Sequence, residues 1–260
     1  MDLALTGRTA IVTGAGRGIG LAVAKALTDE GVRVVGAART VTPELEKASV
    51  AAVSADLATA DGATALVAAA LGELGGGGRR GNNVGGGAPH GVGGFLDAGG
   101  RQWHDILARN LFSAVWTTRA ALPSLLERRG AIVTISSVNA RVPATGPVGY
   151  SEAKAALTAF SKRLSEEFGP QGLRVNTVSP GVTGSPLWRA PDGFGAAMAA
   201  AHGMGLGEFL DVLPAQAGIT SGRITEPEEV AALVTFLVSG VAANMIGSDV
   251  VIDGGMIKTS

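Results

Sequence analysis

Thr9-Ala10-Ile11-Val12-Thr13 runs directly into Gly14-Ala15-Gly16-Arg17-Gly18-Ile19-Gly20, and from there Ile19, Val23, Ala26 and Leu27 recur at helical spacing until Gly31. A short β-branched run, a glycine-rich turn and an amphipathic helix closed by glycine describe a strand, turn and helix in succession. Glycine admits the tight turn and lets backbone N–H groups approach a ligand, while the positive end of the helix favours an anion. In that position the turn reads as a phosphate cradle, and a dinucleotide is its natural ligand.

The same alternation continues outward from this unit. Candidate strands are Thr9 to Thr13, Val32 to Ala37, Val50 to Ser54, Ala131 to Ser136, Arg174 to Val178 and Val250 to Ile252. Longer helical patterns separate them, which predicts an α/β fold with a parallel sheet wrapped by helices on both faces. Trp103 to Glu127 reads as a long helix that Pro123 should kink or break, and Ser151 to Phe168 as another that stops at Gly169-Pro170. Glu226-Pro227-Glu228-Glu229 is a favourable helix start for a buried helix over Val230 to Val238. That reading outweighs a membrane span over Val230 to Ser248, which is uncharged but holds Gly240, Asn244 and Gly247.

With 260 residues, 46% of them hydrophobic, the chain can bury one sizeable core, so a single domain over 1–260 is expected. Lys plus Arg number 21 against 22 Asp plus Glu, leaving no basic excess for a nucleic-acid backbone. The absence of cysteine removes disulfides, zinc thiolates and thiol catalysis, and His90, His104 and His202 are too scattered to predict a metal site. Met1 to Thr9 lacks the basic-then-apolar layout of a secretion signal, so a cytoplasmic location is expected.

The second strand ends in Ala37-Ala38-Arg39, where dinucleotide folds that choose NAD place a carboxylate for the ribose 2′-hydroxyl. Arg39, with Arg17 from the glycine turn, can clamp a 2′-phosphate, which favours NADP over NAD; the plainer alternative is two solvated surface arginines. Tyr150 and Lys154 stand four apart and share a helix face if the helix has begun by Tyr150. A free phenol, with pKa ~10, is a poor acid or base at neutral pH, and a nearby cation stabilises its ionised form. Tyr150 is the only tyrosine in the chain, and Ser136-Ser137 lies shortly before it at the carboxyl end of a strand, where open α/β sheets bind ligands.

Together with Asp56-Leu57, Asn82-Asn83-Val84-Gly85, Asn110, Pro180-Gly181 and Asp253-Gly254-Gly255, these motifs make the whole chain resemble the short-chain dehydrogenase/reductase (SDR) family. The resemblance implies a Rossmann-like, doubly wound, seven-stranded parallel sheet and an oxidoreductase that moves hydride between NADP(H) and a carbonyl or alcohol. It implies contacts to the cofactor phosphates from Gly14, Gly18, Ile19 and Gly20, to adenine from Asp56 and Leu57, and to a ribose from Asn82. The turn Pro180, Gly181, Val182 to Ser185 would meet the nicotinamide amide. Catalysis would fall to Asn110, Ser137, Tyr150 and Lys154, with Tyr150 and Lys154 also against the cofactor. In this scheme Tyr150 donates the proton and Ser137 orients the reacting oxygen. Lys154 lowers the tyrosine pKa and bonds the nicotinamide ribose, and Asn110 holds a water beside it. A homo-oligomer, dimer or tetramer, through the two long helices is a further implication.

The stretch at about 186–222 holds Leu187, Trp188, Phe194, Met198, Met204, Leu206, Phe209, Leu210 and Leu213, the composition of a lid for an apolar, ketoreductase-type substrate. The rival reading is that these side chains pack on the domain or on a partner subunit. His202 reads as a polar surface residue. The chain departs from the family pattern at Gly77, Gly78, Arg79, Arg80 and Gly81, where a central apolar strand belongs. An unpaired guanidinium buried there would cost several kcal/mol. This departure keeps a second class in view, a dinucleotide-binding regulatory or scaffold protein with impaired turnover.

Overall fold

Thr9–Thr13 forms β1 and is buried at every position, as a strand covered by helices on both faces must be. The computed structural model describes residues 2–75, 82–84 and 94–258. Beside β1 lie β2 (Arg33–Ala38) and β3 (Ala51–Ser54), and on the other side β4 (Asn82–Val84), β5 (Ala131–Ile135), β6 (Arg174–Pro180) and β7 (Asp249–Ile252). All pairings are parallel, in the order β3-β2-β1-β4-β5-β6-β7. Two firmly paired halves, β3-β2-β1 and β5-β6-β7, are joined by the short β4, whose Asn83 pairs with Val12 on one side and Val133 on the other. The chain reverses its direction of travel across the sheet between β1 and β4, and the crevice at the carboxyl ends there is where such folds bind ligands.

The helices among the described residues are α1 (Gly18–Asp29), α2 (Pro43–Lys47), α3 (Ala60–Glu73), α4 (Gly100–Leu107), α5 (Ser113–Glu127), α6 (Tyr150–Phe168), α7 (Pro186–Arg189), α8 (Phe194–Ala201), α9 (Leu206–Gln216) and α10 (Pro227–Val238). Side-chain alternation along the strands feeds two cores. Val12, Val34, Val133 and Val178 face α1 and α10, meeting Val23, Leu27, Val230 and Val234. Ile11, Val35, Ile132 and Val175 face the other way, onto Leu66, Ala70, Leu125 and Leu164 of α3, α5 and α6. The helix α1 closes as its glycine suggested: Gly31 takes φ 77°, and Val32 N–H donates to Leu27 O at 3.0 Å. Val32 thus belongs to the helix end, and β2 starts one residue later than its β-branched run.

The stretch expected as one helix from Trp103 to Glu127 is corrected. It divides into α4, a π turn at Ala108–Phe112 and α5, and the helix passes through Pro123 to Glu127. Pro123 stands near the end of α5, where fully buried Leu125 still anchors the last turn to the core, and that burial outweighs the lost backbone bond. No helix among the described residues is long and apolar enough to cross a membrane. The departure noted at Gly77 to Gly81 lies outside the described residues.

The segment after β6 builds a small core of its own: Ala199, Phe209 and Leu213 pack with Ile219 and Ile224, joined by Trp188, Met198, Met204 and Leu210. Self-packing therefore accounts for most of the apolar residues read there as a lid. Phe194 packs edge-on against Trp188, with ring centroids 5.3 Å apart, while Leu187 and Leu206 stay half-buried outside that cluster.

Ile132, fully buried in mid-sheet, carries a direct test of this packing. Ile132→Ala is expected to lower the unfolding free energy by about 2–5 kcal/mol in urea titration, the range for truncating a core aliphatic.

Candidate active site

The glycine turn closes on itself. Gly14 and Gly18 occupy the left-handed region at φ 62° and 57°. A Cβ on Gly20 would stand 2.3 Å from the Gly14 carbonyl oxygen, so no other residue fits there without moving backbone. Ala15 N–H donates to Ala37 O at 2.9 Å and ties the turn to β2. Arg17 precedes α1 without a side-chain cap bond, and the first turn of this twelve-residue helix holds no acidic residue. The leading N–H groups, those of Gly18, Ile19 and Gly20 among them, are thus uncapped by any side chain among the described residues, which fits a cofactor pyrophosphate.

The turn after β6 lies against this cradle. A Cβ on Gly18 would come 3.1 Å from Ser185 Cβ. Pro180 ends β6, Gly181 N–H donates to Ile252 O at 3.0 Å, and a Cβ on Gly181 would stand 2.8 Å from Asp253 Cβ. Val182 O accepts from Thr225 N–H at 3.0 Å. At the far end of the crevice Asp56 is exposed, its Oδ1 accepting from Ala58 N–H at 3.1 Å, while Leu57 packs on the core. Arg17 and Arg39 are exposed, and neither takes part in an ion pair among the described residues. Asn82 opens β4, paired with Ile11.

A polar cluster sits at the carboxyl end of β5. Ser137 caps the short turn Val138–Ala140, accepting from Asn139 N–H at 3.2 Å, and is 6% exposed. The helix α6 begins at Tyr150 because Gly149 takes φ 83° and its N–H donates to Glu152 Oε2 at 2.6 Å. Lys154 follows one turn later at 1% exposure, with Nζ 5.6 Å from the Tyr150 ring centroid. Its Nζ donates to Ile135 O at 2.8 Å, while Ser136 Oγ donates to Lys154 O at 3.1 Å and pairs with Thr158 Oγ1 at 2.7 Å. Asn110, 3% exposed, sits in the π turn and donates from Nδ2 to Ile106 O at 3.0 Å.

Residues 14–257 match the sequence family described as enoyl-(acyl carrier protein) reductase. The chain is a short-chain dehydrogenase/reductase. This SDR is 33% identical, over 95% of its length and 92% of the relative's, to the short-chain reductase protein NovJ of Streptomyces niveus. It is 32% identical to L-rhamnose 1-dehydrogenase (NAD(P)(+)) of Azotobacter vinelandii, over 97% of both chains. The crystal structure of L-sorbose reductase from Gluconobacter frateurii, complexed with NADPH and L-sorbose, superposes with a TM-score of 0.90 at 29% identity over 100% of both chains. The SDR family acts on small-molecule alcohols and ketones.

Ser137, Tyr150 and Lys154 are brought together in this SDR, but the electrostatics depart from expectation. Burial pushes the Tyr150 phenol above its ordinary value, and the Ser137 hydroxyl works in the opposite sense when it donates to the phenolate. Although Tyr150 keeps some exposure as a residue, its titrating end is surrounded by protein. Lys154 is not what acidifies Tyr150 here. Its own ammonium is disfavoured by burial, which lowers it to about 8, and its hydrogen bond goes to the Ile135 carbonyl.

Other groups escaped the sequence reading. Asn139 bonds the Ser137 hydroxyl, and only its place two residues after a serine at a strand end hinted at this. Arg189 pairs bidentately with Glu226 at 2.8 and 2.7 Å, fastening α7 to the start of α10. His202 is exposed, its Nδ1 2.8 Å from Met198 O, in keeping with a surface role.

The buried lysine makes stability depend on pH. Below about 8 both folded and unfolded chains hold the proton and the fold bears the full desolvation penalty. Between about 8 and the ordinary 10.5 the folded protein releases it while the unfolded chain keeps it, so stability rises with pH. The full rise approaches about 3 kcal/mol. Urea unfolding from about pH 7 to 9.5 is expected to show the parent gaining stability relative to Lys154→Met.

Proposed function

We propose that this SDR is an NADP(H)-dependent reductase or dehydrogenase for a carbonyl or alcohol pair, with Asn110, Ser137, Tyr150 and Lys154 as its catalytic set. The observation that carries the reading is the convergence of the sole tyrosine, Ser137 and Lys154 at the carboxyl end of β5, in the same fold as an uncapped glycine turn. A reduced nicotinamide held in the crevice would supply hydride for a carbonyl carbon. Tyr150 gives its proton to the oxygen, neutralising the alkoxide as it forms, and Ser137 bonds the same oxygen. The raised phenol suits an acid in the reducing direction. Lys154, whose ammonium donates to the Ile135 carbonyl, would also bond the nicotinamide ribose, and its charge stabilises the phenolate. Asn110 holds the water that returns a proton to Lys154.

The phosphates are held by Gly14, Arg17, Gly18, Ile19 and Gly20, the adenosine by Arg39, Asp56, Leu57 and Asn82, and the nicotinamide end by Tyr150, Lys154, Pro180, Gly181, Val182 and Ser185. NADP is favoured by Arg17 and Arg39, exposed and without ion-pair partners among the described residues, and by the NADPH in the L-sorbose reductase complex; NAD is the lesser alternative. The segment at about 186–222 acts as a lid. Leu187 and Leu206 are its apolar residues left outside its own core, which supports an apolar substrate. Lack of cysteine suits a reducing, cytoplasmic compartment, and α5 and α6 supply the faces for a dimer or tetramer.

NADPH consumption with a panel of apolar ketones tests the activity. Tyr150→Phe is expected to lose about 10²–10⁴ in turnover, and undiminished reduction by that variant would remove the proposed acid. Tight NADPH binding with no turnover on any ketone would favour the scaffold reading instead. A hydrogen bond to a charged group is worth about 1.5–3 kcal/mol, so Arg39→Asp should raise the KM for NADPH by roughly tenfold or more while sparing NADH.

A further inference from the structure

We propose that Arg189 is a positioning residue for the nicotinamide end of the cofactor: its guanidinium holds the turn from Val182 to Ser185 in register with the glycine turn, and Gly184 is glycine to admit it. This rests on the reading of that turn as the one that meets the nicotinamide amide. Two observations carry it, the three bonds made by the guanidinium and the ring of contacts that those bonds close.

Arg189 Nη1 donates to the Gly184 carbonyl at 3.1 Å and to Glu226 Oε2 at 2.8 Å, while Nη2 donates to Glu226 Oε1 at 2.7 Å. A Cβ on Gly184 would stand 2.5 Å from Arg189 Cζ, so the guanidinium occupies the place that a side chain at 184 would take. A planar fork that binds a carboxylate and a carbonyl together fixes direction as well as distance. It thereby sets the peptide that joins Gly184 to Ser185. The other side of the turn is held by backbone, with Gly184 N–H donating to Thr225 O at 2.8 Å and Thr225 N–H to Val182 O at 3.0 Å.

The helix α7 has four residues, too few to hold itself in place, so its position comes from its two ends. At one end Ser185 lies against the glycine turn, its Cβ 3.1 Å from where a Cβ on Gly18 would stand. At the other, Arg189 is fastened to Glu226, the N-cap residue of α10. Glu226 is itself fixed: its N–H donates to Glu229 Oε2 at 2.8 Å, and Glu229 pairs with Arg223 at 2.7 Å. From there α10 packs through Val230 and Val234 onto Val23 and Leu27 of α1, the helix that begins at the glycine turn. The contacts form a closed circuit, and removing Arg189 opens it.

The hydrogen bond from Arg189 holds the Glu226 carboxyl below its ordinary value, so both partners stay charged across the neutral range. An ion pair this exposed contributes little to global stability. Its loss is therefore expected to show in where the turn sits rather than in whether the chain folds.

Titration of the whole protein with NADPH, followed by cofactor fluorescence without substrate, tests this beside adenosine 2′,5′-bisphosphate, which lacks the nicotinamide half. In Arg189→Ala the turn is seated for a smaller share of the time, and the Kd for NADPH is expected to rise roughly three- to tenfold, with that for the bisphosphate unchanged. Gly184 does not take a positive φ, so what alanine disturbs there is the guanidinium rather than the backbone. Gly184→Ala should show the same loss, and the double variant no more than either alone, because both remove one interaction. If Arg189→Ala does not fold, Arg189→Lys, which keeps the charge and loses the fork, should move in the same direction. Unchanged NADPH binding in the folded variants, equal weakening of NADPH and the bisphosphate, or an additive double variant overturns the inference. Those results leave the function standing if Tyr150→Phe has lost turnover, whereas a parent that binds no NADPH removes the cofactor reading and this inference with it.

Discussion

A buried ammonium on a strand-end carbonyl, Lys154 on Ile135, sets the geometry on which the remainder of the site relies. Lysine at 1% exposure is costly to desolvate, and one carbonyl compensates only part of that cost. The surrounding seam supplies the rest of the hold: Ser136 bonds the Lys154 carbonyl, and Thr134 joins Ser161 at 2.7 Å and Thr177 at 3.2 Å. These hydroxyls fasten α6 to β5 and β6 along a line, so the helix cannot slide without breaking buried bonds. Tyr150 at the head of α6 and Ser137 at the end of β5 are placed by this seam together with the turns at Gly149 and at Ser137. The residues proposed to do the chemistry are therefore located by polar groups outside the proposed catalytic pair of hydroxyls.

The glycine-turn end of the crevice is organised by a different principle. There the chain excludes side chains: Gly20 against the Gly14 carbonyl, Gly181 against Asp253, Gly18 beside Ser185. Close backbone approach leaves peptide N–H groups as the recognition surface, and their direction is fixed by the turn itself. One end of the crevice is thus built from rotatable, titratable groups and the other from backbone. This division suits a site in which one part of the bound molecule is anchored and another reacts.

Much of this was legible in the sequence, and the exceptions have physical causes. β1 and β5 announced themselves because strands buried on both faces read as continuous apolar runs, and the Gly14 to Gly20 turn because its glycines have no substitute. Tyr150 and Lys154 were found by spacing. Their titration was not, since burial depends on what the rest of the fold wraps around them and outweighed the mutual effect expected from adjacency. Pro123 does not break α5, because a rule about isolated helices ignores the anchor at Leu125. Asn139 was invisible because its bond to Ser137 depends on the turn at Val138–Ala140 folding it back onto the strand end, not on its residue type. The π turn at Ala108–Phe112 was hidden because its flanks keep the apolar rhythm of one continuous helix.

That π turn separates two kinds of information carried by one length of chain. A π turn is equivalent to a single residue inserted into an α-helix, and one residue rotates everything beyond it by about 100°. Before the insertion, Ile106 is buried; after it, Ala114, Ala121 and Leu125 are buried in turn, and Asn110 lies inside the insertion itself. Excising one residue between Ala108 and Phe112 would restore regular winding and swing α4 and α5 out of phase with each other, so that one of them would lose its buried side. The polar group and the packing of two helices are consequently inherited as a unit, and drift in this stretch is constrained by length before it is constrained by residue identity.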